Sequence, residues 1–330
     1  MKYLVCRYGA FGDGIIISPV FRYLKQQGHE IYFHTSDRGL MVHEHNPHID
    51  HFVPYETDSV PLDKLPDFWA ELCKNLGVDV FLNFTETIER ALCKVKVMPD
   101  EFNKSREQRA LECNKNYYEH TLEYAGIPVT LDNLRPELFF DKKTEKKAKS
   151  YMDWDKFNVV ICLIGSGVQK MYPWMPNIIN MLYKTYPDVN CITVGDSRCK
   201  IIEEIITDKC NKLSGELHIL TSMAVTKYAN LVVSPDTGIL HASGCYKTPK
   251  IGLLGHTTIE NITKHFDNDY SIEADCHCAP CFRIISDIHE DCPIDPVTKA
   301  NLCMGRGIDP NEVLDSINVV YNKWKKRRCK

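Results

Sequence analysis

Short apolar segments alternate with longer helical stretches along the whole chain of 330 residues, and this alternation constrains the fold more than any other feature. The apolar segments are only four to seven residues long and are mostly rich in Val, Ile, Leu and Phe, which is typical of buried strands. Strands that alternate with helices form parallel sheets, because each crossover helix returns the chain to the same end of the sheet. The sequence therefore predicts an α/β fold.

The length fits two domains, since a domain usually has about 100–200 residues. The predicted strands cover residues 3–6, 31–34, 51–54 and 78–84 in the first half and residues 159–164, 191–194, 231–234 and 250–254 in the second. Residues 127–149 are rich in Pro and Lys and are interpreted as a linker. We therefore predict one parallel-sheet domain over residues 1–150 and another over residues 151–330, which includes a cysteine-rich segment at residues 276–303.

Charge and hydropathy exclude several classes of protein. The net charge of −4 argues against a nucleic-acid binder, and no apolar run approaches the roughly 20 residues that cross a bilayer. The first apolar run ends at Arg7 and lacks the longer core of a secretion signal, so we expect a cytoplasmic protein. Six cations near the C-terminus suit either a solvated helix end or weak attraction to the inner face of a membrane. These are Lys323, Lys325, Lys326, Arg327, Arg328 and Lys330.

A glycine-rich turn follows the first predicted strand and leads into a helix. Gly9, Gly12 and Gly14 have the spacing G-x-x-G-x-G, which differs from the dinucleotide-binding fingerprint and argues against a nicotinamide dehydrogenase. Such a turn brings backbone N–H groups close to a phosphate or a sugar. Asp13 lies in this turn, where it could act as a helix cap or carry chemistry.

Two loops in the second half repeat this arrangement. Ser166 and Lys170 follow the strand at residues 159–164, and the lysine is either a surface charge or a partner for phosphate. The strand at residues 231–234 leads into Asp236, Thr237, Gly238 and, one helical turn later, His241. This loop is either a helix cap with a packed histidine or a cradle for a pyrophosphate. A carboxylate repels phosphate, so we expect Asp236 to contact a hydroxyl or a cation.

Five of the 15 cysteines lie between residues 276 and 303. Cys278 and Cys281 form a C-x-x-C pair, and Cys292 and Cys303 follow at intervals of eleven residues. Four thiolates at such positions fit a tetrahedral structural Zn²⁺ or iron site, with Cys276 and His277 as substitute ligands. The alternative is a set of free or packed thiols.

Taken together, these motifs resemble glycosyltransferase family 9, the heptosyltransferases, over nearly the whole chain. The resemblance rests on residues 9–13, Ser18-Pro19, residues 46–50, the Lys170-x-Tyr-Pro segment, Asp236-Thr237-Gly238-x-x-His241 and Thr248-Pro249. It implies a GT-B fold, with two Rossmann-like domains facing across a cleft. It also implies transfer of a sugar from a nucleotide donor, typically ADP-heptose, with inversion and without a divalent metal.

The resemblance also implies a role for each matching residue. Asp13 is similar to the family's catalytic base, on a backbone loop formed by Gly9 and Gly12 in the acceptor-side domain. The donor-binding residues of the second domain are matched by Ser166, Lys170, Asp236, Thr237, Gly238 and His241. Cys278, Cys281, Cys292 and Cys303 resemble, at tighter spacing, the iron-binding finger of autotransporter heptosyltransferases.

The expected function is therefore metal-independent transfer of heptose or a similar sugar, with no catalytic cofactor, to a glycan, a lipid-linked acceptor or a protein hydroxyl. The alternative is an inactive scaffold of the same fold that binds a nucleotide-sugar or is stabilised by a metal.

Overall fold

A computed structural model describes residues 1–56, 59–285 and 292–328. The chain forms two compact units, of which unit 1 comprises Met1–Thr87 and Tyr117–Phe139 and unit 2 comprises Ile88–Asn116 and Phe140–Lys330. This division differs from the predicted boundary at residue 150, because residues 88–116 pack with the second unit. Asn116, for example, donates hydrogen bonds to the carbonyls of Glu260 and Asn261 at 3.0 and 3.2 Å.

Unit 1 is built on one parallel sheet of four strands in the order β3-β2-β1-β4. The strands are β1 (Lys2–Cys6), β2 (Glu30–Thr35), β3 (His51–Pro54) and β4 (Val80–Asn83). Its helices are α1 (Phe11–Gln26), α2 (Asp37–His43), α3 (Leu65–Leu76), α7 (Tyr117–Tyr124) and α8 (Leu131–Leu134). Helix α4 (Thr87–Ala91) begins with the last residue of this segment of unit 1 and continues into unit 2. All four strands predicted for the first half are confirmed within two residues at either end.

Unit 2 contains a parallel sheet of six strands in the order β11-β10-β9-β6-β7-β8. These strands are β6 (Phe157–Cys162), β7 (Val189–Val194), β8 (Asn211–Lys212), β9 (Leu231–Pro235), β10 (Lys250–Leu254) and β11 (Ile272–Glu273). Every residue of β6, β7, β9 and β10 is buried, as expected for strands covered on both faces. The four strands predicted for the second half are confirmed.

The helices of unit 2 surround this sheet and extend to its C-terminus. They are α5 (Pro99–Phe102), α6 (Arg106–Cys113), α9 (Lys142–Ser150), α10 (Met175–Thr185), α11 (Lys200–Glu203), α12 (Ile219–Tyr228), α13 (Gly238–Gly244), α14 (Ile259–Ile262), α15 (Leu302–Gly305) and α16 (Pro310–Arg328). Among the described residues, no helix combines the length and the apolar composition that a membrane span requires.

A second, two-stranded parallel sheet joins distant parts of unit 2. β5 (Lys94–Val95) pairs with β12 (Arg283–Ile284), so the cysteine-rich segment is fixed to the segment that precedes α5. The residue before β12 also contacts the segment that follows β10, because the Phe282 N–H donates to the His256 carbonyl at 2.8 Å. These strands were not predicted, because they have only two residues each.

The predicted linker is wrong over its last third, where residues 142–150 form α9. Asp141 caps this helix by accepting a hydrogen bond from the Thr144 N–H at 2.7 Å, and Ala148 is fully buried. Lys227 of α12 donates to Glu145 at 2.6 Å. The lysines that indicated a linker form the solvent-facing side of a short amphipathic helix.

Candidate functional site

The turn between β1 and α1 in unit 1 depends on one glycine. Gly9 has a φ of +125°, a conformation that side chains disfavour. A Cβ atom at Gly9 would lie 2.5 Å from Asp13 Oδ2, well inside van der Waals contact. Glycine at this position therefore lets the carboxylate lie directly against the backbone of the turn. Gly12 lies within the first turn of α1.

Asp13 accepts one hydrogen bond on each carboxylate oxygen. The Ala10 N–H donates to Oδ2 at 2.7 Å, and Arg7 Nη2 donates to Oδ1 at 2.5 Å. Asp13 is not the N-cap of α1, because Ala10 occupies that position, and Asp13 accepts the Ala10 N–H from the third helical position, which is one half of a capping box. Its side chain stays 18% exposed while Arg7 is buried, so part of the carboxylate remains open.

Arg7 is a site residue that the sequence analysis missed. Besides Asp13, its guanidinium donates to the Phe84 carbonyl at 2.8 Å, and its own carbonyl accepts from Thr35 Oγ1 at 2.6 Å. Arg7 therefore links the turn to the ends of β2 and β4 and fixes the carboxylate. A cation placed directly after a strand and before a glycine-rich turn was the available signal.

In unit 2, four charged or polar side chains come together near the ends of β6, β9 and β10. They are Asp236, Lys170, His241 and His256. Asp236 follows β9, Thr237 caps α13 by accepting from the Ile239 N–H at 3.2 Å, and Gly238 is the first residue of that helix. Lys170 ends a short 3₁₀ turn after β6. Ser166 is exposed on the same loop. The carboxyl ends of parallel strands are where open α/β sheets bind ligands.

Asp236 is the centre of this group and is buried. Lys170 Nζ lies 3.1 Å from its Oδ2, His241 Nε2 lies 3.4 Å from its Oδ1, and His256 Nε2 lies 3.6 Å from its Oδ2. Burial by itself raises the pKa of Asp236, but Lys170 and the two histidines outweigh that effect and hold the pKa well below its usual range. The prediction that any ligand contact of Asp236 is to a hydroxyl or a cation stays a prediction, and within the protein the carboxylate pairs with Lys170.

His256 is a second residue that the sequence analysis missed. It follows β10 as Asp236 follows β9, so its position after a buried strand was the available signal. Burial, followed by the charge of Lys170, lowers its pKa to about 3. The ring is therefore neutral at pH 7, and its Nε2 contacts Asp236 Oδ2 at 3.6 Å without a hydrogen bond.

The four cysteines predicted to bind metal line one cavity of unit 2. However, no group of three or more His, Cys, Asp or Glu side chains in the described part of the chain is arranged to hold a metal ion. A sulfur–sulfur contact of 3.5 Å joins Cys276 to Cys278, and only Cys278 belongs to the predicted set. Burial and the neighbouring Cys276 raise the pKa of Cys278 to about 12, and burial also raises the pKa of Cys281 and Cys292.

Comparison with known proteins gives the family. The model of glycosyltransferase family 9 (heptosyltransferase) matches residues 100–290, which is more than half of the chain. The chain belongs to glycosyltransferase family 9. It is therefore a glycosyltransferase, as the sequence motifs indicated. No curated protein sequence matches it.

Solved structures of this family have the same fold. The ADP-heptose lipopolysaccharide heptosyltransferase II of Escherichia coli aligns with a TM-score of 0.67 at 15% identity, over 98% of this chain and 100% of its own. A family 9 glycosyltransferase of Veillonella parvula gives 0.66 at 14% identity, over 98% and 97%. The iron-containing dodecameric glycosyltransferase TibC of enterotoxigenic E. coli gives 0.61 at 13%, over 98% and 77%. The α/β fold with parallel sheets is thus that of the GT-B heptosyltransferases.

Proposed function

We propose that this family 9 member is an inverting transferase that moves heptose or a similar sugar from a nucleotide-diphosphate donor to a hydroxyl group. The observation that carries the proposal is the partly open carboxylate of Asp13, fixed after β1 by Arg7 and Ala10. ADP-heptose is the favoured donor, since the E. coli enzyme of the same fold is named for it. The acceptor hydroxyl belongs to a glycan, a lipid-linked saccharide or a protein side chain.

In this mechanism Asp13 is the general base. Its carboxylate takes the proton of the acceptor hydroxyl as that oxygen forms a bond to the anomeric carbon. The bond from that carbon to the diphosphate oxygen breaks at the same time, and its electron pair leaves with the diphosphate. A single displacement of this kind inverts the anomeric configuration.

The departing diphosphate needs positive charge, which unit 2 supplies from side chains and backbone. Lys170 is 19% exposed, and its ammonium has three N–H donors, so it can contact Asp236 and a phosphate oxygen together. Thr237 and Gly238 offer N–H groups at the start of α13, and Ser166 and His241 complete the proposed donor site. With this charge available, the proposed reaction needs neither a divalent metal nor a catalytic cofactor.

Within this proposal, unit 1 serves the acceptor and unit 2 holds the nucleotide-sugar. The cytoplasmic location and the contact with an anionic membrane surface stay predictions. At least three of the six C-terminal cations already have partners, since Lys323 donates to the Tyr270 hydroxyl at 2.7 Å, Lys325 donates to the Tyr321 hydroxyl at 3.4 Å and Arg328 pairs with Asp155 at 3.0 Å. Lys330 lies outside the described residues. Sedimentation with phosphatidylserine vesicles tests the membrane contact.

A thermal-shift panel of ADP-, GDP-, UDP- and CDP-sugars tests the donor. A ligand at 100 times its Kd should stabilise the protein by about 2.7 kcal/mol, which a melting curve resolves. We expect the ADP-sugar to give the largest shift. If no nucleotide-sugar shifts the melting temperature, donor binding is disproved.

The role of Lys170 is tested by calorimetry with ADP. Lys170→Ala should weaken binding at least tenfold, because it removes a cation that contacts phosphate. The matched control is Lys212→Ala, since Lys212 is also a partly buried lysine of unit 2 paired with an aspartate, Asp208, at 2.9 Å. Equal ADP affinity in both variants would exclude Lys170 from the donor site.

A further inference from the structure

Tyr8 lies between two residues that contact the Asp13 carboxylate in the turn after β1. Arg7 donates to one carboxylate oxygen, and Gly9 packs so closely against the other that an added Cβ would lie 2.5 Å from it. Among the described residues, the backbone N–H and C=O groups of Tyr8 and Gly9 form no hydrogen bond. Side-chain contacts therefore fix this part of the turn.

The Tyr8 side chain supplies these contacts, and its partners come from three other parts of unit 1. The ring stacks on Tyr55, which follows β3, with ring centres 4.2 Å apart and an angle of 13° between the ring planes. The hydroxyl lies 2.7 Å from Nε2 of His34 in β2, and it accepts a hydrogen bond from Nε1 of Trp69 in α3 at 3.0 Å. A ring that is held on one face and at its hydroxyl has little freedom to rotate, so the backbone that carries it is fixed as well.

The hydrogen bonds through the Tyr8 hydroxyl form a chain with a single direction. His34 Nδ1 lies 2.9 Å from the Val53 carbonyl, which can only accept, so this nitrogen carries the ring proton. His34 Nε2 is then the acceptor, and burial lowers the pKa of His34, which keeps the ring neutral at pH 7. The Tyr8 hydroxyl therefore donates to His34 and accepts from Trp69, and each polar group in the chain has a partner.

The position of Tyr8 in the turn gives this chain an effect on Asp13. The two hydrogen bonds to the carboxylate come from Arg7 and from the Ala10 N–H, which lie on either side of Tyr8 and Gly9 along the chain. A shift of Tyr8 would therefore move the two donors relative to each other and displace the carboxylate. A displacement of about 1 Å at a reacting group can lower a rate about a hundredfold.

We propose that Tyr8 is a positioning residue for Asp13, and that the chain from Trp69 through Tyr8 to His34 holds the turn in the geometry in which the carboxylate can take the acceptor proton. This role depends on the proposed role of Asp13 as the base. We expect a change at Tyr8 to slow the chemical step without weakening the binding of the nucleotide, because Tyr8 acts on the base alone.

Tyr8→Phe tests this role, because it keeps the ring and removes the hydroxyl that joins Trp69 to His34. Turnover is measured as ADP released by hydrolysis of ADP-heptose, so that water replaces the acceptor and a contact between Tyr8 and an acceptor sugar has no influence. We expect kcat to fall at least tenfold, while KM for ADP-heptose and Kd for ADP stay within twofold of the parent. The matched control is Tyr32→Phe, since Tyr32 is also a tyrosine of unit 1 whose hydroxyl forms a hydrogen bond, to Glu30 at 2.9 Å. A kcat within a few-fold of the parent would overturn the proposal.

The same substitution in an Asp13→Asn background shows whether Tyr8 acts through the base. Once the base is lost, its positioning has no further benefit, so the double variant should hydrolyse ADP-heptose within twofold of the rate of Asp13→Asn. A further tenfold loss in the double variant would mean that Tyr8 acts on another part of the protein, and it would overturn the proposal.

The Ala10 N–H gives a readout that needs no turnover. It donates to Asp13 Oδ2 at 2.7 Å, so its rate of hydrogen exchange, measured by NMR, reports whether the carboxylate stays in place. We expect faster exchange at Ala10 in Tyr8→Phe and in Trp69→Phe, which removes the first donor of the chain, and no change in Tyr32→Phe. A parent that hydrolyses no nucleotide-sugar would count against the proposed function and not against Tyr8, whose role the exchange rate then decides. Exchange at the parent's rate in both Tyr8→Phe and Trp69→Phe would overturn the proposal.

Discussion

Asp13 of unit 1 lies in the first helical turn after β1 and Asp236 of unit 2 comes directly after β9, both near glycine, yet the fold treats the two carboxylates differently. Asp13 is partly exposed and accepts bonds from one cation and one backbone N–H. Asp236 is buried among one cation and two histidines. The first carboxylate keeps an open face that a substrate can reach, whereas the second is saturated by its own protein. The two carboxylates therefore differ in exposure and in the partners that balance their charge.

The sharpest test of this difference is Asp13→Asn. An amide cannot take the acceptor proton, so turnover should fall by about 10²–10⁴ while ADP binding remains. Stability should also fall somewhat, because the amide replaces the charged partner of the buried Arg7. The control is Asp37→Asn, an exposed acid in the first turn of α2. Turnover within a few-fold of the parent would place the base elsewhere.

Asp13→Asn should mainly lower turnover, whereas Asp236→Asn should mainly lower the free energy of unfolding. Removing one member of a buried ion pair leaves Lys170 uncompensated, which typically costs about 3–5 kcal/mol. Chemical denaturation measures this loss. Asp196→Asn is the control, because Asp196 also follows a strand of unit 2 but is 51% exposed. A loss below about 1 kcal/mol would mean that Asp236 is not the structural centre of its group.

Gly9→Ala should disturb Asp13 without changing its chemistry. The added Cβ would meet Asp13 Oδ2 at 2.5 Å in a backbone conformation that disfavours side chains, which costs about 1–3 kcal/mol. We expect a lower kcat with little change in ADP affinity, since the substitution lies in unit 1. Gly28→Ala also has a positive φ but no atom within 4 Å of the added Cβ, so it reports the backbone cost alone. Equal kcat values for Gly9→Ala and Gly28→Ala would show that the residue at position 9 does not affect the function of Asp13.

The smallest effect concerns acid stability, where each unit contributes a buried histidine with a strongly lowered pKa. Burial lowers the pKa of His43 to about 4 and that of His256 to about 3, from 6.5 in both cases. Such a histidine binds its proton only on unfolding, so stability is complete above pH 6.5 and declines as the pH falls toward the folded-state pKa. Each group contributes at most about 1.4 kcal/mol per pH unit. Urea unfolding between pH 7 and 4.5 should show a slope that His43→Asn and His256→Asn reduce and that His45→Asn, at an exposed position, does not.

Much of the fold could be predicted because its strands are continuous apolar runs. The sequence motifs also indicated Asp13, Lys170 and the Asp236 loop as candidate site residues, and their roles stay predictions. The two-residue strands β5 and β12 could not be found, because their pairing depends on residues almost 190 positions apart. The helix over residues 142–150 was not predicted because its lysines make the segment polar, and Ala148 is its single buried residue.

The sequence by itself determined the alternation of strands and helices, the family motifs and the ends of strands at which polar residues gather. Only the tertiary structure decided which partners those residues acquire. Arg7 reaches Asp13, and His256 reaches Asp236, because neighbouring parallel strands end at the same edge of their sheet. The cysteines show the same limit, since their spacing predicted a shared site but only the fold brought Arg109 and Arg283 to line the same cavity. Spacing along the chain limits which side chains can meet, but the charge and burial around them depend on residues that the fold brings from elsewhere.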